Sequence, residues 1–244
     1  MKLLSITTPD GKLTIDLIKK HMHGFGFEHH SQPKIISITQ PTELGTIYSI
    51  NEITALANYA HQNAMFLHMD GARISNAVVS LDCPVKEFTV DAGVDVLSFG
   101  GTKNGIMYGE AVLIFNKTLA GNFKYFRKQG MQLASKMRYV GAQFNAFFAD
   151  DLWLKSAAHA NKMAQLLYQK VNSIVGVEVT QKVQANGVFA KIPQSVIQKL
   201  QEEYFFYVWD EHTNEVRWMC SFDTTADDIN AFARILEFLV SKER

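Results

Sequence analysis

Three short apolar runs, each ending abruptly in polar or glycine residues, constrain the fold of this chain more than any other feature. They read PKIISITQPT from Pro33, MFLHMDGAR from Met65 and VDVLSFGGTK from Val94. Helix-like segments lie between them; in SINEITALANYAHQNA, Ser49 is the predicted N-cap and Glu52 has the spacing of a capping box. Because strands and helices alternate, we predict a parallel sheet with crossover helices, and therefore an α/β fold.

The remainder of the chain divides into a helical stretch and a region of short strands. Helices are also predicted at KLTIDLIKKHMH and VKEFTVDAG, and a further strand at EAVLIFN. A helical stretch runs from Leu119 to Val171. The short strands predicted after it are GVEVTQ, GVFAKIP, FFYVWDE and EVRWMCSF, with helical patterns around SVIQKLQEEY and TADDINAFARILEFLVSK. We therefore predict a large domain over residues 1–145 and a smaller α+β domain, with a mostly antiparallel sheet, over residues 146–244.

Reactive side chains are concentrated where the predicted strands end. Ligands of parallel sheets bind beyond the carboxyl ends of the strands, and Thr42, Asp70 and Lys103 fall there. Lys103 lies in a glycine-rich turn, GGTKNG, at the same predicted edge as Asp70. An amine beside a carboxylate suits Schiff-base chemistry on pyridoxal phosphate (PLP), in which an Asp keeps the pyridine nitrogen protonated. The alternative for a lone lysine is a solvated loop residue.

A set of motifs accompanies this pair. It comprises HMDGAR from His68 to Arg73, then Asn76-Ala77, Ser98-Phe99 and Thr102-Lys103, together with PTELGTIYS, KMRYVGA and EVRWMCSF. These motifs resemble the threonine aldolase and β-eliminating lyase family of PLP enzymes, over nearly the whole chain. The resemblance implies fold type I, with a three-layer large domain like that of PLP-dependent transferases, incomplete here, and a small α+β C-terminal domain.

The resemblance implies a role for each residue at a matching position. Lys103 matches the lysine that holds PLP, and Asp70 matches the partner of the pyridinium nitrogen. Arg73 matches an arginine that contacts the cofactor or the substrate carboxylate, and Thr102 is expected among the cofactor-binding residues. Arg217 matches the small-domain arginine that grips the α-carboxylate, for which a bidentate guanidinium is suited. A purely structural Asp70–Arg73 ion pair is the alternative.

Several weaker candidates lie near the expected site. Glu43 is a candidate for substrate binding, with a polar loop residue as the alternative, as for Thr42. Arg138 resembles a family position near the site or a subunit interface; a solvated helical arginine is the alternative. His68 shares strand alternation with Asp70, but a hydrogen-bonded core histidine is the favoured interpretation. No metal site is predicted, because cysteine partners and helical i, i+4 spacing are lacking around His21, His23, His29 and His30.

Composition argues against several classes of function. Lys and Arg together number 24, as do Asp and Glu, so the formal net charge is zero and no nucleic-acid partner is predicted. No apolar run reaches about 18 residues, and the apolar stretch in MKLLSITTPDGK is too short for a signal peptide; no membrane partner is predicted. The only cysteines, Cys83 and Cys220, imply no disulfide framework and suit a reducing cytoplasm.

The resemblance also implies that the opening third of such enzymes is absent from this chain, because MKLLSITTPDGK resembles a segment well inside them. That third is expected to carry the helix N-terminus that holds the PLP phosphate and the ring that stacks on the cofactor. Three accounts stay open: a truncated or split gene product, a deliberate fragment, or a partner chain that supplies the remainder.

The activity that the resemblance implies is retro-aldol cleavage of a β-hydroxy-α-amino acid to glycine and an aldehyde, with PLP as cofactor. The alternative chemistry is β-elimination on a cysteine-like or aromatic amino acid with the same Lys103. A rival from another class is a catalytically incomplete fragment that acts only with a partner chain. The family resemblance further implies a homo-oligomer, dimer or tetramer.

Overall fold

The chain folds around two four-stranded sheets, each with its own core. We describe residues 2–243 of a computed structural model, so Met1 and Arg244, the outer ends of the two predicted domains, lie outside the described residues. The elements of the first part are α1 (Ile15–Lys19), β1 (Ile35–Thr39), α2 (Ile50–Gln62), β2 (Phe66–Gly71), α3 (Ile74–Leu81), β3 (Val96–Gly100) and β4 (Glu110–Ile114). Those of the second part are α4 (Phe123–Gln129), α5 (Met137–Phe148), α6 (Leu152–Val171), β5 (Glu178–Val179), β6 (Gly187–Lys191), α7 (Gln194–Gln201), β7 (Tyr207–Asp210), β8 (Glu215–Met219) and α8 (Ala226–Ser241).

The first sheet has the strand order β1-β2-β3-β4. The first three strands are parallel, as the alternation of strands and helices predicts. The expectation of a parallel sheet is wrong for β4, which pairs antiparallel with β3. The reason is the connection 101–109, which is too short for a crossover and returns the chain directly beside β3.

Helix α2 begins at a capping box and packs against the first sheet through residues at helical spacing. Its capping box is present as predicted: the Ser49 hydroxyl accepts a hydrogen bond from the Glu52 amide, and the Glu52 carboxylate accepts one from the Ser49 amide. Its buried residues recur at helical spacing: Ile53, Leu56, Ala57 and Ala60. This face packs with the inner residues of β2, Leu67 and Met69, which are fully buried.

The second sheet has the order β5-β6-β8-β7 and is antiparallel throughout. Its core combines residues of β6 and β8 with one face each of α6, α7 and α8, so that it forms a hydrophobic cluster separate from the first. Phe147 still belongs to the first cluster, whereas the second begins at Met163. The domain boundary near residue 145 stays a prediction.

Three helical segments differ from the prediction. VKEFTVDAG, predicted as a helix, forms consecutive turns instead; Gly93 has a φ of +93°, and the Thr89 hydroxyl bonds the Val85 carbonyl. Helix α3 is present where no helix was predicted, because ISNAVVSL spans only eight residues and mixes small polar side chains with apolar ones. The stretch 119–171 is interrupted between α4 and α5 and again at Ala149–Asp151, where Asp150 and Asp151 have positive φ.

Asp95 holds together the end of the first sheet that lies opposite the carboxyl ends of the parallel strands. It precedes β3 and is 5% exposed. Its carboxylate accepts hydrogen bonds from the Leu67 amide at 2.8 Å and the Asn116 side-chain amide at 2.8 Å, and it lies 2.9 Å from His61 Nε2. One side chain thereby ties the start of β2, the end of β4 and the end of α2.

Candidate active site

The carboxyl ends of β2 and β3 are pressed together. In register, Asp70 lies opposite Ser98 and Gly71 opposite Phe99. A Cβ added at Gly100 would lie 2.4 Å from the Ala72 carbonyl oxygen, closer than any side chain can approach backbone. Only glycine therefore allows the two turns, one carrying Asp70 and the other Lys103, to emerge side by side.

Asp70 ends β2 on the face that it shares with Phe66 and His68, where the side chains are only partly buried. Its Oδ1 accepts a hydrogen bond from the Ala72 amide at 2.9 Å, which fixes the carboxylate in the turn. Within residues 2–243 this carboxylate makes no ion pair, so the predicted alternative of an Asp70–Arg73 salt bridge is not formed.

Lys103 occupies a single 3-10 turn, Thr102–Asn104, directly after β3. Asn104 anchors that turn: it is 4% exposed and donates its side-chain amide to the Trp153 carbonyl at 2.8 Å. Thr102 closes the loop by donating its hydroxyl to the Gly109 carbonyl at 3.3 Å. The Lys103 side chain itself is exposed and has no hydrogen bond or ion pair to any described residue.

His68 lies in a hydrogen-bonded row across three strands. Its Nδ1 is 2.8 Å from the Ser37 hydroxyl on β1, and its Nε2 is 3.0 Å from the Ser98 hydroxyl on β3. Burial lowers the pKa of His68 below its usual range, an effect that the nearby Asp70 carboxylate opposes. Both ring nitrogens are thus satisfied, in agreement with the favoured interpretation of a hydrogen-bonded histidine.

Glu43 is held on a compact loop after β1. The Thr42 amide donates to the Thr46 carbonyl at 2.9 Å, and the hydroxyls of the two threonines are 2.7 Å apart. Below them, the fully buried Gln40 side chain bonds both the amide and the carbonyl of Tyr48. Because its hydroxyl is used inside the loop and it is 3% exposed, Thr42 supports this loop and presents no group to the site.

The Glu43 carboxylate joins two arginines that come from different sheets. Its Oε1 lies 3.4 Å from Arg73 Nη1, beyond the end of β2, and its Oε2 lies 3.1 Å from Arg217 Nη1, on β8. Both arginine side chains are only 13% exposed, whereas that of Glu43 is 48% exposed. The structure therefore brings together three of the residues predicted for substrate binding.

Two aromatic rings that the sequence analysis did not single out flank Arg217. The guanidinium carbon is 4.8 Å from the centroid of the Trp209 ring and 5.5 Å from that of Tyr207, both on β7. Trp209 in turn packs edge-on against the buried Phe189. The available signal was the alternation of Tyr207 and Trp209 on one face of a strand that pairs with β8.

The Nε of Arg217 is buried and lacks a hydrogen-bond partner among the described residues. A buried charged donor without a partner is unfavourable unless a ligand satisfies it. A carboxylate is the group whose geometry matches a guanidinium edge. The Arg217 side chain therefore has the chemistry of an anion clamp whose Nη1 is already held by Glu43.

The residues at the strand ends also fit PLP. An unpaired amine, Lys103, and a carboxylate without an ion pair, Asp70, emerge from adjacent strand ends that the Gly100–Ala72 contact holds together. These are the two groups that PLP chemistry requires of a protein, one to bind the aldehyde and one to face the ring nitrogen. The structure gives no matching contact for Arg138, which is exposed on α5 and does not touch Glu43, Arg73 or Arg217.

Across the described residues, no group of three or more His, Cys, Asp and Glu side chains is placed to hold a metal ion. Among the helices of residues 2–243, none combines the length and the apolar character that a membrane crossing requires.

Comparison with known proteins places these features in context. A family model described as Beta-eliminating lyase matches residues 1–193. A low specificity L-threonine aldolase from a Pseudomonas species is 40% identical over 240 residues, which cover 98% of this chain and 69% of that protein. Another from Pseudomonas aeruginosa is 40% identical over 239 residues, with the same two coverages.

A solved structure agrees with these sequence matches. The threonine aldolase of Leishmania major superposes with a TM-score of 0.90 at 29% identity, covering 98% of this chain and 70% of that one. The strand ends and turns described above therefore belong to an arrangement that is shared over almost the whole chain.

Proposed function

The chain belongs to the β-eliminating lyase family, and from this premise we propose that it is a PLP-dependent lyase of the threonine-aldolase type. The reaction is cleavage of the Cα–Cβ bond of a β-hydroxy-α-amino acid, which yields glycine and an aldehyde. The observation that carries the proposal is the pairing of Lys103 with Asp70 at adjacent strand ends, with two arginines beside them.

PLP supplies an electron sink at the substrate's Cα when it is bound. Lys103 would hold the cofactor through its Nζ and would release it to the incoming substrate amine. Asp70, whose Oδ1 is fixed by the Ala72 amide, would keep a proton on the ring nitrogen. The row of Ser37, His68 and Ser98 lies on the same face as Asp70, and its hydrogen bonds support that strand end without carrying charge.

Arg217 would bind the α-carboxylate of the substrate. Its guanidinium is stacked on Trp209 and held at Nη1, so that binding a carboxylate does not require the side chain to be ordered first. Arg73 lies on the other side of Glu43 and would add positive charge to the same region. With the carboxylate and the amine both fixed, the substrate can turn only about its remaining bonds, which selects the bond to be broken.

An activity assay tests the proposal. Purified chain with added PLP, supplemented with the N-terminal third of a relative as a separate polypeptide, should convert L-threonine to glycine and acetaldehyde, and an absorbance band near 400–430 nm should show cofactor attachment. The chain alone is expected to bind PLP poorly and to show little activity. Formation of 2-oxobutanoate and ammonia from L-threonine instead would support the second candidate, β-elimination, which the name of the matching family model favours. Absence of both the band and any product, even with the N-terminal third of a relative added as a separate chain, would contradict an enzymatic role.

We further propose a cytoplasmic homo-oligomer, the arrangement that the family resemblance implies. Large apolar side chains around the loop after β3 and the segment that follows are exposed in the single chain, among them Met107 at 90% and Met131 at 89%. Both Cys83 and Cys220 are free thiols, as a reducing compartment permits. Light scattering on the purified protein would test the assembly, since a monomeric mass at micromolar concentration would contradict it.

A further inference from the structure

We infer that Glu43 is a positioning residue that holds Arg217 in the orientation a substrate carboxylate needs. The inference rests on the proposed function, because it concerns the carboxylate site of that reaction. Glu43 contacts Arg217 and Arg73 through different oxygens, at 3.1 and 3.4 Å, so a single side chain links β8 to the end of β2. Within residues 2–243 no other carboxylate contacts either guanidinium.

The backbone that carries Glu43 is fixed on both sides. On one side, the Thr42–Thr46 hydrogen bonds close the loop, and Thr46 also donates its hydroxyl to the Asp10 carbonyl at 2.5 Å. On the other side, the Ile47 amide donates a hydrogen bond to the Gln184 side chain at 3.3 Å, which ties the chain just after the loop to the segment that precedes β6. A carboxylate on such a loop can define a position, whereas one on a mobile loop cannot.

The guanidinium of Arg217 needs the contact with Glu43, because its other contacts do not fix its orientation. The ring contacts with Trp209 and Tyr207, at 4.8 and 5.5 Å from the ring centroids, hold the guanidinium beside β7 but are weakly directional and leave it free to rotate. The contact from Glu43 to Nη1 removes the rotation. The opposite edge, which includes the buried and unpartnered Nε, is then the edge left to meet a substrate carboxylate.

If charge alone mattered, Glu43 would weaken the binding of a substrate carboxylate instead of helping it. Two arginines and one glutamate give the cluster a net charge of +1, and removing the glutamate charge would increase the attraction for a carboxylate. However, ion pairs with a half-exposed partner are weakly attractive in water, and the Glu43 side chain is 48% exposed. Misalignment of a charge-assisted, bidentate contact weakens binding of the carboxylate on the order of tenfold. We therefore expect orientation to outweigh charge.

The test compares Glu43→Gln, which removes the charge and keeps the shape, with Glu178→Gln, an exposed glutamate on β5 used as the control. For the 244-residue chain assayed with PLP and L-threonine under the conditions in which the native chain is active, Glu43→Gln should raise KM roughly five- to tenfold and change kcat by less than about twofold. Its melting temperature should stay close to that of the control. An unchanged or lowered KM would overturn the inference in favour of a charge effect or no effect.

A second measurement does not depend on turnover. The ¹⁵Nε resonance of Arg217, assigned by its loss in Arg217→Lys, should shift or broaden in Glu43→Gln and stay in place in Glu178→Gln. A resonance that is identical in the native chain, in Glu43→Gln and in Glu178→Gln would overturn the positioning role. If the native chain cleaves no threonine, the proposed function fails, and the resonance still decides whether Glu43 orients Arg217.

Discussion

Gly100 lies against Ala72 so closely that a methyl group at Gly100 would come within 2.4 Å of the Ala72 carbonyl oxygen. This contact joins the end of β3 to the turn after β2. It sets how near the Lys103 turn lies to Asp70, although neither side chain takes part in it. The placement of two reactive groups thus depends on the absence of a side chain.

Gly100→Ala should therefore disturb both the fold and the site. The atoms in the way belong to backbone, which cannot rotate aside, so we expect a loss of about 1–3 kcal/mol in the free energy of unfolding together with weaker PLP binding. Gly121→Ala is the control, because nothing lies within 4 Å of an added Cβ there. Urea unfolding of both variants measures the effect, and equal stabilities would show that the contact is looser than described.

Lys103→Ala should abolish covalent attachment of PLP. Lys103 is the lysine of the strand-end turn and has no competing ion pair among the described residues. Borohydride reduction of the native chain followed by peptide mapping should label Lys103, and the label should be missing in the variant but retained in the control Lys136→Ala. Label on a different lysine in the native protein would reject the assignment.

Asp70→Asn should retain bound PLP but lose most of its activity. The amide keeps the shape of the side chain, and its oxygen can still accept the hydrogen bond from the Ala72 amide. It cannot hold a proton on the ring nitrogen, so we expect a loss of about 100-fold or more in kcat. Cofactor absorbance and initial rates measured on the same sample check both halves of this prediction; near-normal turnover would exclude the pyridinium role.

Arg217→Ala should weaken substrate binding more than PLP binding. Loss of a charge-assisted, bidentate contact costs about 1.5–3 kcal/mol, which corresponds to a roughly 10- to 150-fold increase in apparent substrate Kd. Arg234→Ala, which removes an exposed arginine on α8, serves as the control. Should the variant bind substrate as the control does, Arg217 lies outside the site.

Asp95 should make the stability of the first sheet depend on pH in the acidic range. Burial acts to raise the pKa of Asp95, but hydrogen bonds from Asn116, the Leu67 amide and His61 outweigh it and lower the pKa below its usual 3.8. A lowered folded-state pKa means stability that is present above about pH 4 and is lost as the pH falls through the folded value.

Asp95→Asn should therefore cost about 1–3 kcal/mol at neutral pH. It should also flatten the decline of stability below pH 4, because the titrating group is gone. Thermal unfolding between pH 2.5 and pH 7 compares the variant with the native chain. The same slope in both proteins would show that another carboxylate is responsible.

Local signals were sufficient for most of the architecture. Ser49 and Glu52 indicated the start of α2 through their spacing, and the apolar runs before Asp70 and Lys103 are strands as predicted. The predicted fold type I is confirmed by the match to the Leishmania major structure. Helix α3 went unpredicted because its burial does not follow the polarity of the sequence: the polar Ser75 and Asn76 are buried together with their apolar neighbours where the helix packs against α6.

Only those residues of the candidate site that can be recognised from their own position along the chain were predictable from the sequence. Asp70 is the penultimate residue of β2 and Lys103 follows β3, and a residue at the carboxyl end of a strand in an α/β sequence is a natural candidate. The link from Glu43 to Arg217 spans most of the chain and depends on how two sheets meet, which no local pattern encodes. For the same reason Trp209 was not recognised as the platform of Arg217.

The antiparallel pairing of β4 with β3 places Lys103 on a loop that is closed at its base. Gly100 and Glu110 pair at the base of the connection 101–109, so the lysine is carried on a closed loop that is fastened at both ends. Insertions or deletions in an evolving lineage would move the amine rather than the sheet, and selection should keep the length of this loop constant. The exposed loop 24–32 carries none of the candidate site residues, so a change in its length would leave the amine in place. The tolerance to insertions and deletions therefore differs from one loop of the chain to another.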